Sequence, residues 1–201
     1  LSANATGHAA TDGFHLRIDS TPRVEYWNYE NTDQVFANNN GEKLRLLAGG
    51  GITFNGDTAA ANALDDYEEG VHTVTATDSG GGATYGLNSG YDTFAYTKIG
   101  RLVTITGTLV CSTVSGTASG QIKLTLPFAC VDTTEQGGRS GGAGIAFYQI
   151  QKYTSGDYAQ HNIAEGTSFV SLLYGSVGGN AYDTKFNTSS QVYCNFSYFT
   201  A

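Results

Sequence analysis

The fold of this chain is decided by two stretches, Leu64-Asp65-Asp66-Tyr67-Glu68-Glu69-Gly70 and Tyr96-Thr97-Lys98-Ile99-Gly100-Arg101-Leu102-Val103-Thr104-Ile105-Thr106-Gly107. Before the first stretch, short segments are interrupted every few residues by turn-forming residues. After it, apolar and polar residues alternate along much of the chain, which is typical of strands with one buried face. The two stretches therefore mark the border between two parts of different kinds.

The composition predicts an all-β protein. The chain has 27 Gly and 13 Tyr but only 2 Pro, a composition typical of many short strands joined by glycine turns. Its net charge of -8 argues against a nucleic-acid partner, because phosphate binding needs clustered Lys and Arg. There is no run of eighteen apolar residues, so we expect no insertion into a membrane.

The charge is unevenly distributed along the chain. Residues 1–69 hold 4 basic and 11 acidic side chains, a net charge of -7. Residues 70–201 hold 6 and 7, a net charge of -1. We therefore expect the second part to engage partners through polar and aromatic contacts rather than long-range attraction.

The first part is predicted to need other copies of the chain. Residues 1–13 are small and polar and form a disordered or extended lead-in. Residues 14–56 form a β-rich shaft or collar segment with five strands of three to seven residues, too few to enclose a core alone. If three copies intertwine, each short strand buries its apolar side against its neighbours, so we expect a homotrimer.

The second part is predicted to build its own core. Residues 57–70 form a short helix or linker, in which Asp57 or Thr58 caps a helix over residues 59–64. Residues 71–201 form a β-sandwich head of jelly-roll type. Its predicted strands cover residues 71–77, 94–99, 102–111, 121–128, 144–152, 168–174 and 192–200, with a hairpin loop over residues 112–120. Val103, Ile105, Leu109 and Cys111 on one strand, and Ile122, Leu124, Leu126 and Phe128 on another, should form the central core.

No catalytic, metal or cofactor site is predicted. The acidic residues Asp65, Asp66, Glu68 and Glu69 lack the alternating ligands and glycine of a calcium loop, so a structural role is the better interpretation. The four histidines have no metal-ligand spacing with a second His or Cys. The three cysteines, which are Cys111, Cys130 and Cys194, are widely spread and are interpreted as small buried hydrophobic residues.

The candidate binding residues are aromatic. Six tyrosines lie in or beside loops rich in Gly, Ser, Asn and Asp, a composition typical of adaptable recognition surfaces. They are Tyr85, Tyr91, Tyr153, Tyr158, Tyr174 and Tyr182. Sugar rings stack well on such side chains, although tyrosines at strand ends are common in any β protein.

The order of three motifs resembles the C-terminal region of bacteriophage tail-fibre and related receptor-binding virion proteins. These motifs are Leu64-Asp65-Asp66-Tyr67-Glu68-Glu69-Gly70, Tyr96-Thr97-Lys98-Ile99-Gly100-Arg101 and Leu126-Pro127-Phe128. The resemblance implies a homotrimer whose shaft leads into a globular β head, located on the virion and extracellular after assembly in the bacterial cytoplasm. It also implies upstream fibre or other virion proteins as partners.

The expected function is therefore non-enzymatic recognition of a host cell-surface receptor, either a protein or a glycan such as lipopolysaccharide. Two alternatives remain open. One is a virion-associated polysaccharide depolymerase, although no long β-solenoid period is present in the sequence. The other is a carbohydrate-binding module of a bacterial secreted protein, which the Tyr/Gly loops favour and the border motif does not.

Overall fold

The structure, a computed structural model, describes residues 12–18, 20–135, 137–142, 144–152, 158–175, 181–182 and 184–201. Apart from one turn of 3-10 helix, Ala60–Asn62, the regular structure of these residues is β-strand. The sheets are antiparallel, and the predicted all-β class is confirmed.

Within the described residues the strands are β1 (Phe14–Ile18), β2 (Val24–Asn28), β3 (Gln34–Asn38), β4 (Gly41–Leu46), β5 (Ile52–Phe54), β6 (Tyr67–Thr73), β7 (Ala76–Asp78), β8 (Ala83–Leu87), β9 (Thr93–Ile99), β10 (Leu102–Gly116), β11 (Ile122–Thr125), β12 (Ser140–Gly142), β13 (Ile145–Tyr148), β14 (Gln151–Lys152), β15 (Tyr158–Ile163), β16 (Phe169–Gly175), β17 (Ala181–Tyr182), β18 (Thr184–Lys185) and β19 (Gln191–Phe199). The chain divides into two compact units, Leu1–Asp66 and Tyr67–Ala201. The division falls inside the acidic stretch that precedes Val71.

The first unit contains the five short strands expected between residues 14 and 56. Strands β1 and β2 form a two-stranded hairpin, and β3, β4 and β5 form a three-stranded sheet. Asn39 and Asn40 join β3 to β4 with φ values of 47° and 55°, the left-handed conformation that a tight hairpin turn requires. Asparagine tolerates this conformation better than most residues, which explains the Asn-rich sequence at this turn.

The predicted helix over residues 59–64 is a single 3-10 turn instead. The Asp57 carboxylate does accept the N–H of Ala59, at 2.8 Å, and the side-chain amide of Asn62, at 2.7 Å. The helix ends because Leu64 exchanges two backbone hydrogen bonds with Ile52, 2.8 and 3.0 Å long. The Ala63 N–H still bonds to the Ala60 carbonyl oxygen, and pairing with β5 replaces the helical hydrogen bond that the Leu64 N–H would otherwise make.

The second unit contains a twelve-stranded antiparallel sheet folded onto itself and a separate two-stranded sheet, β14 with β18. The front sheet has the strand order β6-β9-β10-β19-β13, and the back sheet has the order β12-β15-β16-β11-β7-β8. Strand β10 belongs to both, because its residues 102–110 pair with β9 and β19 while its later residues pair with β8. The pairing changes at a bulge between Cys111 and Thr113, where such irregularities bend a strand.

The faces of the two sheets pack against each other in a sandwich-like arrangement. His161 on β15 stacks on Phe196 of β19 with 4.8 Å between ring centroids. Phe147 on β13 packs edge-on against Tyr174 of β16, at 5.1 Å. The predicted core is confirmed for Val103, Ile105, Leu109, Ile122 and Leu124, which are fully buried, and for Cys111 and Leu126, which are 1% and 4% exposed. Phe128 lies beyond the end of β11 and is only partly buried.

The sequence analysis was wrong about the segment after Cys111. The hairpin loop predicted over residues 112–120 is strand as far as Gly116, since β10 runs on to pair with β8. Strand β8 (Ala83–Leu87) was not predicted, and neither was β15 (Tyr158–Ile163). Both segments contain small or polar residues that mask the alternation, yet pairing on both sides holds them in the back sheet.

Candidate functional site

The border motifs converge on one side-chain cluster in the second unit. Glu68 and Gly70 on β6 lie opposite Lys98 and Tyr96 on β9. The Tyr96 hydroxyl donates to Glu68 at 2.5 Å, and the Phe128 ring packs edge-on against Tyr96 with 5.2 Å between centroids. The Lys98 ammonium lies 5.6 Å from the centroid of the Phe128 ring. The motifs are therefore neighbours in space, and their polar groups bind one another.

The glycine of this motif has a packing reason. A Cβ at Gly70 would lie 2.6 Å from the Tyr96 hydroxyl oxygen and 2.8 Å from its Cζ. The Tyr96 ring crosses Gly70 to reach Glu68, and the hydrogen bond to that carboxylate raises the pKa of Tyr96. Because Phe128 is also tied to Tyr198, whose hydroxyl donates to its carbonyl oxygen at 3.0 Å, we interpret the cluster as structural.

The other acidic and histidine side chains near the border are also engaged locally. The Tyr67 hydroxyl donates to Glu69 on the same strand. The His72 Nε2 lies 3.0 Å from the Thr125 hydroxyl, and burial lowers the pKa of His72. In the part of the chain that the structure describes, no three His, Cys, Asp or Glu side chains are grouped as metal ligands would be.

The three cysteines are buried and free, as predicted from their spacing. The Cys111 thiol donates to the carbonyl oxygen of Thr113 at 3.3 Å, and the Cys130 thiol to that of Gly138 at 3.1 Å. Burial raises the pKa of Cys194 to about 12, so this thiol is not a nucleophile at neutral pH.

Across the described residues, no helix has the length and apolar character to cross a membrane.

Two of the six candidate tyrosines are interior residues. Tyr85 is only 4% exposed and packs edge-on against Phe186 at 5.1 Å. Tyr174 is half-buried against Phe147, and this burial raises its pKa. Tyr91 differs from both, because it is 52% exposed in the turn that follows β8.

The remaining candidates belong to the back sheet or lie outside the described residues. Tyr158 is 43% exposed and lies opposite Gly175, where a Cβ would come within 2.6 Å of its ring. Tyr182 lies on β17 with its backbone opposite Tyr174. Tyr153 falls outside the described residues. Tyr85, Tyr91, Tyr158 and Tyr174 therefore do not form one surface.

A different tyrosine lies in a groove on the outer face of the front sheet. This groove, of about 620 Å³, is formed by β10, β19 and β13. Tyr193 is 46% exposed in it, between Thr108 on one neighbouring strand and Ala146 on the other. Its hydroxyl donates to the Gln191 side chain at 2.6 Å, which holds the ring along its own strand. Asn195 lines the groove two residues further on.

The described residues that line this groove are uncharged. They include the hydroxyl side chains of Thr106 and Thr108 and no Asp, Glu, Lys, Arg or His. A smaller recess of about 90 Å³ continues across β10 onto β9, and Thr106 borders both. Next to it, the hydroxyls of Thr104 and Ser197 lie 3.1 Å apart. The outer face of the front sheet is therefore the candidate binding surface of the second unit.

Comparison with known proteins gives no family for this chain. It matches no protein-family model, and no curated protein or solved structure is similar to it.

Sequence reasoning missed the groove because it searched loops. Tyr193, Asn195 and Thr106 lie within strands, and the alternation of β19 was used only to find its buried face. The outward set of β19 was a usable signal, because Tyr193, Asn195 and Ser197 are the polar members of an otherwise apolar alternation. The strands that flank these residues are set by pairing between distant segments. It is this pairing that places the small Ala146 beside the Tyr193 ring and leaves the ring accessible.

The first unit carries a second unusual surface, which is apolar. On one face of the β1–β2 hairpin, Leu16 and Ile18 lie opposite Tyr26 and Val24, and all four are more than half exposed. Water contact with a contiguous apolar face of this kind is unfavourable, and such faces commonly mark contacts with another protein surface.

Proposed function

We propose that this chain is the distal part of a bacteriophage tail fibre, that it acts as a homotrimer, and that its head recognises a glycan on the host cell surface. In this proposal the protein has no enzymatic role. The threefold assembly, the intertwined shaft and the jelly-roll connection of the head belong to the proposal. So do the location on the virion and the partnership with upstream fibre proteins.

The exposed apolar side chains of the first unit carry the trimer proposal. Among its described residues, 12–18 and 20–66, the buried side chains are the polar Glu25 and Thr53, with no large apolar one. An isolated two-stranded hairpin is marginally stable in water, and here its apolar face is open. Two further copies of the same chain would supply the missing cover for each protomer.

The groove at Tyr193 supports recognition of a glycan. An exposed ring among hydroxyl and amide side chains offers both stacking and hydrogen bonds, which sugar recognition needs. The low net charge of residues 70–201 favours such short-range contacts over binding of a highly charged polymer.

Light scattering of the full chain over a range of micromolar concentrations tests the assembly. We expect a mass of three chains, about 64 kDa from the 21.2 kDa protomer. A single-chain mass throughout this range would contradict the trimer. A printed array of bacterial surface glycans tests the receptor class, and failure to bind any glycan would contradict the recognition role.

A carbohydrate-binding module of a secreted bacterial protein is the second candidate. It is favoured by one observation, the complete apolar core within the second unit, which needs no other copy of the chain. A monomeric mass together with glycan binding would favour this candidate over the fibre. Release of new reducing ends from host polysaccharide would instead indicate a depolymerase.

A further inference from the structure

We propose that the outer face of the front sheet is the sugar-binding surface, that the Tyr193 ring is its stacking platform, and that it selects uncharged sugar residues. This inference rests on the proposed recognition of a glycan and adds where the glycan binds and which class it belongs to. It moves the site away from the loop tyrosines that the sequence suggested.

The accessibility of Tyr193 comes from its small neighbours. Cross-strand neighbours on one face of a sheet have Cβ atoms about 5 Å apart, so a large side chain at either flanking position would cover the ring. The two flanking residues are Thr108 and Ala146, and neither is large. The hydrogen bond to Gln191 fixes the ring before any ligand arrives, which lowers the entropic cost of binding.

The polar groups around the ring match the needs of a neutral sugar. A sugar ring has an apolar C–H face and a rim of hydroxyls that donate and accept hydrogen bonds. Thr106 and Thr108 offer hydroxyls and Asn195 offers an amide, and all three can both donate and accept. A carboxylate or sulfate on the sugar would find no basic side chain among the described lining residues, so its desolvation would not be compensated.

The surface is long enough for more than one sugar residue. The groove and the recess beyond Thr106 together cross β13, β19, β10 and β9, four adjacent strands. With strands spaced about 4.8 Å apart, this path is about 14 Å long. We therefore expect an oligosaccharide to bind across the strands and more tightly than a single sugar.

Binding by the full chain can be measured with a printed array of neutral and acidic oligosaccharides and by saturation-transfer NMR. The NMR probes are methyl glucoside, methyl galactoside, methyl N-acetylglucosaminide and, as the charged counterpart, methyl glucuronide. We expect neutral glycans to bind in preference to acidic ones. Tyr193→Ala should weaken binding at least about tenfold, whereas Tyr193→Phe, which keeps the ring, should retain most of it.

Tyr158→Ala is the matched control, because it also removes a partly exposed tyrosine from an outer face, that of the back sheet. It should bind like the unchanged protein. Ala146→Phe provides a second test, since it fills the groove at an exposed position without removing a hydrogen bond of Tyr193. It should weaken binding as Tyr193→Ala does, and circular dichroism verifies that both variants fold.

The outcomes separate this inference from the proposed function. If the chain binds glycans and neither Tyr193→Ala nor Ala146→Phe weakens binding, the groove is not the site, although recognition of a glycan stands. A preference for acidic glycans would overturn the assigned class. If no glycan binds on the array or by NMR, both proposals fail. A lower oligomeric mass of Tyr193→Ala would make the face a contact between copies and would also overturn the inference.

Discussion

Each of the two units of this protein is stabilised internally by a different kind of interaction. In the first unit, ion pairs join side chains across the strands: Glu25 is buried between Arg17 and Arg23, each at 2.6 Å. Arg45 likewise bridges Glu42 and Asp33, both at 2.6 Å. In the second unit, a continuous apolar core lies between the two layers of the folded sheet.

This difference shows which part of the chain can be stable alone. The Glu25 pairs contribute little in water because Arg17 and Arg23 are at least half exposed, so solvent and salt screen them. The ion pairs also leave the apolar faces of the first unit uncovered. Burial of large apolar side chains contributes far more, and the described core residues all follow Tyr67. The first unit is therefore expected to respond to concentration, salt and acid, and the second to changes in packing.

The largest expected effect is a cavity in the second unit. Leu124→Ala removes a fully buried side chain and should lower the free energy of unfolding by about 3–5 kcal/mol. Phe36→Ala, at a position that is 53% exposed in the first unit, should leave the unfolding of the second unit unchanged. Urea titration followed by far-ultraviolet circular dichroism measures both. Equal losses for the two variants would remove the contrast between the units.

A smaller effect is expected from a buried carboxylate in the second unit. Asp78 is 4% exposed and accepts the backbone N–H groups of Ser119, at 2.6 Å, and Ala83, at 3.2 Å. Burial alone would raise the pKa of Asp78, but the N–H groups outweigh burial and lower it. Asp78→Ala should cost about 2–3 kcal/mol, measured by the same titration.

The sign of the pH dependence follows from the lowered pKa of Asp78. Its contribution is present above the unfolded value of about 3.9 and is lost as the pH falls through the folded value. The difference between the unchanged protein and Asp78→Ala should therefore shrink in acid. A difference that grew below pH 4 would contradict this assignment.

A third substitution tests the border cluster. Gly70→Ala would place a Cβ against the Tyr96 ring and break its hydrogen bond to Glu68, at a cost of about 1–2 kcal/mol. Gly90→Ala is the matched control, because its nearest neighbour, the Asn88 Oδ1, would lie at an ordinary 3.5 Å. Thermal unfolding should separate the two variants. Equal melting temperatures would show that the Tyr96 ring moves aside without cost.

The smallest expected effect is loosening of the first unit in acid. Hydrogen bonds from Arg17 and Arg23 lower the pKa of Glu25 below its usual value of 4.5. Its contribution is therefore present above pH 4.5 and is lost as the pH falls through the lowered value. Trp27, the single tryptophan, lies on the same strand, so its fluorescence reports on this unit.

Glu25→Gln should remove this acid transition from the Trp27 fluorescence and leave the circular dichroism of the sheets unchanged. High salt should weaken it, because Arg17 and Arg23 are at least half exposed and are screened. An acid transition in Trp27 that persists in Glu25→Gln would place the titrating group elsewhere.

The sequence predicted the strands that alternate cleanly and failed where residue type conceals the pairing. Strand β19 follows period two without interruption and was found within one residue at each end. Strand β15 contains Gln160, His161 and Asn162, and a polar run of this kind does not predict a strand with β12 and β16 on its two sides. Whether such a segment forms a strand is decided by long-range pairing, and the local sequence pattern carries no information about that pairing.

The candidate site was predicted by residue type but not by position. The sequence pointed to tyrosines among small polar residues, yet Tyr85 is an interior ring and Tyr193, which lines the proposed groove, was not named. Whether a tyrosine in a strand faces the core or solvent depends on which face its neighbours bury, and for Tyr85 the neighbour is the distant Phe186.

The sequence by itself determined the all-β class, the burial of the three cysteines and the five short strands of the first unit. These follow from local composition and from the two-residue period, which any single segment displays. Only the tertiary structure decided that β10 serves both layers, that Tyr96 crosses Gly70 to reach Glu68, and that Tyr193 is open between Thr108 and Ala146. Each of these depends on contacts between residues far apart in the chain, and the local period of one strand is the same whichever strand it pairs with.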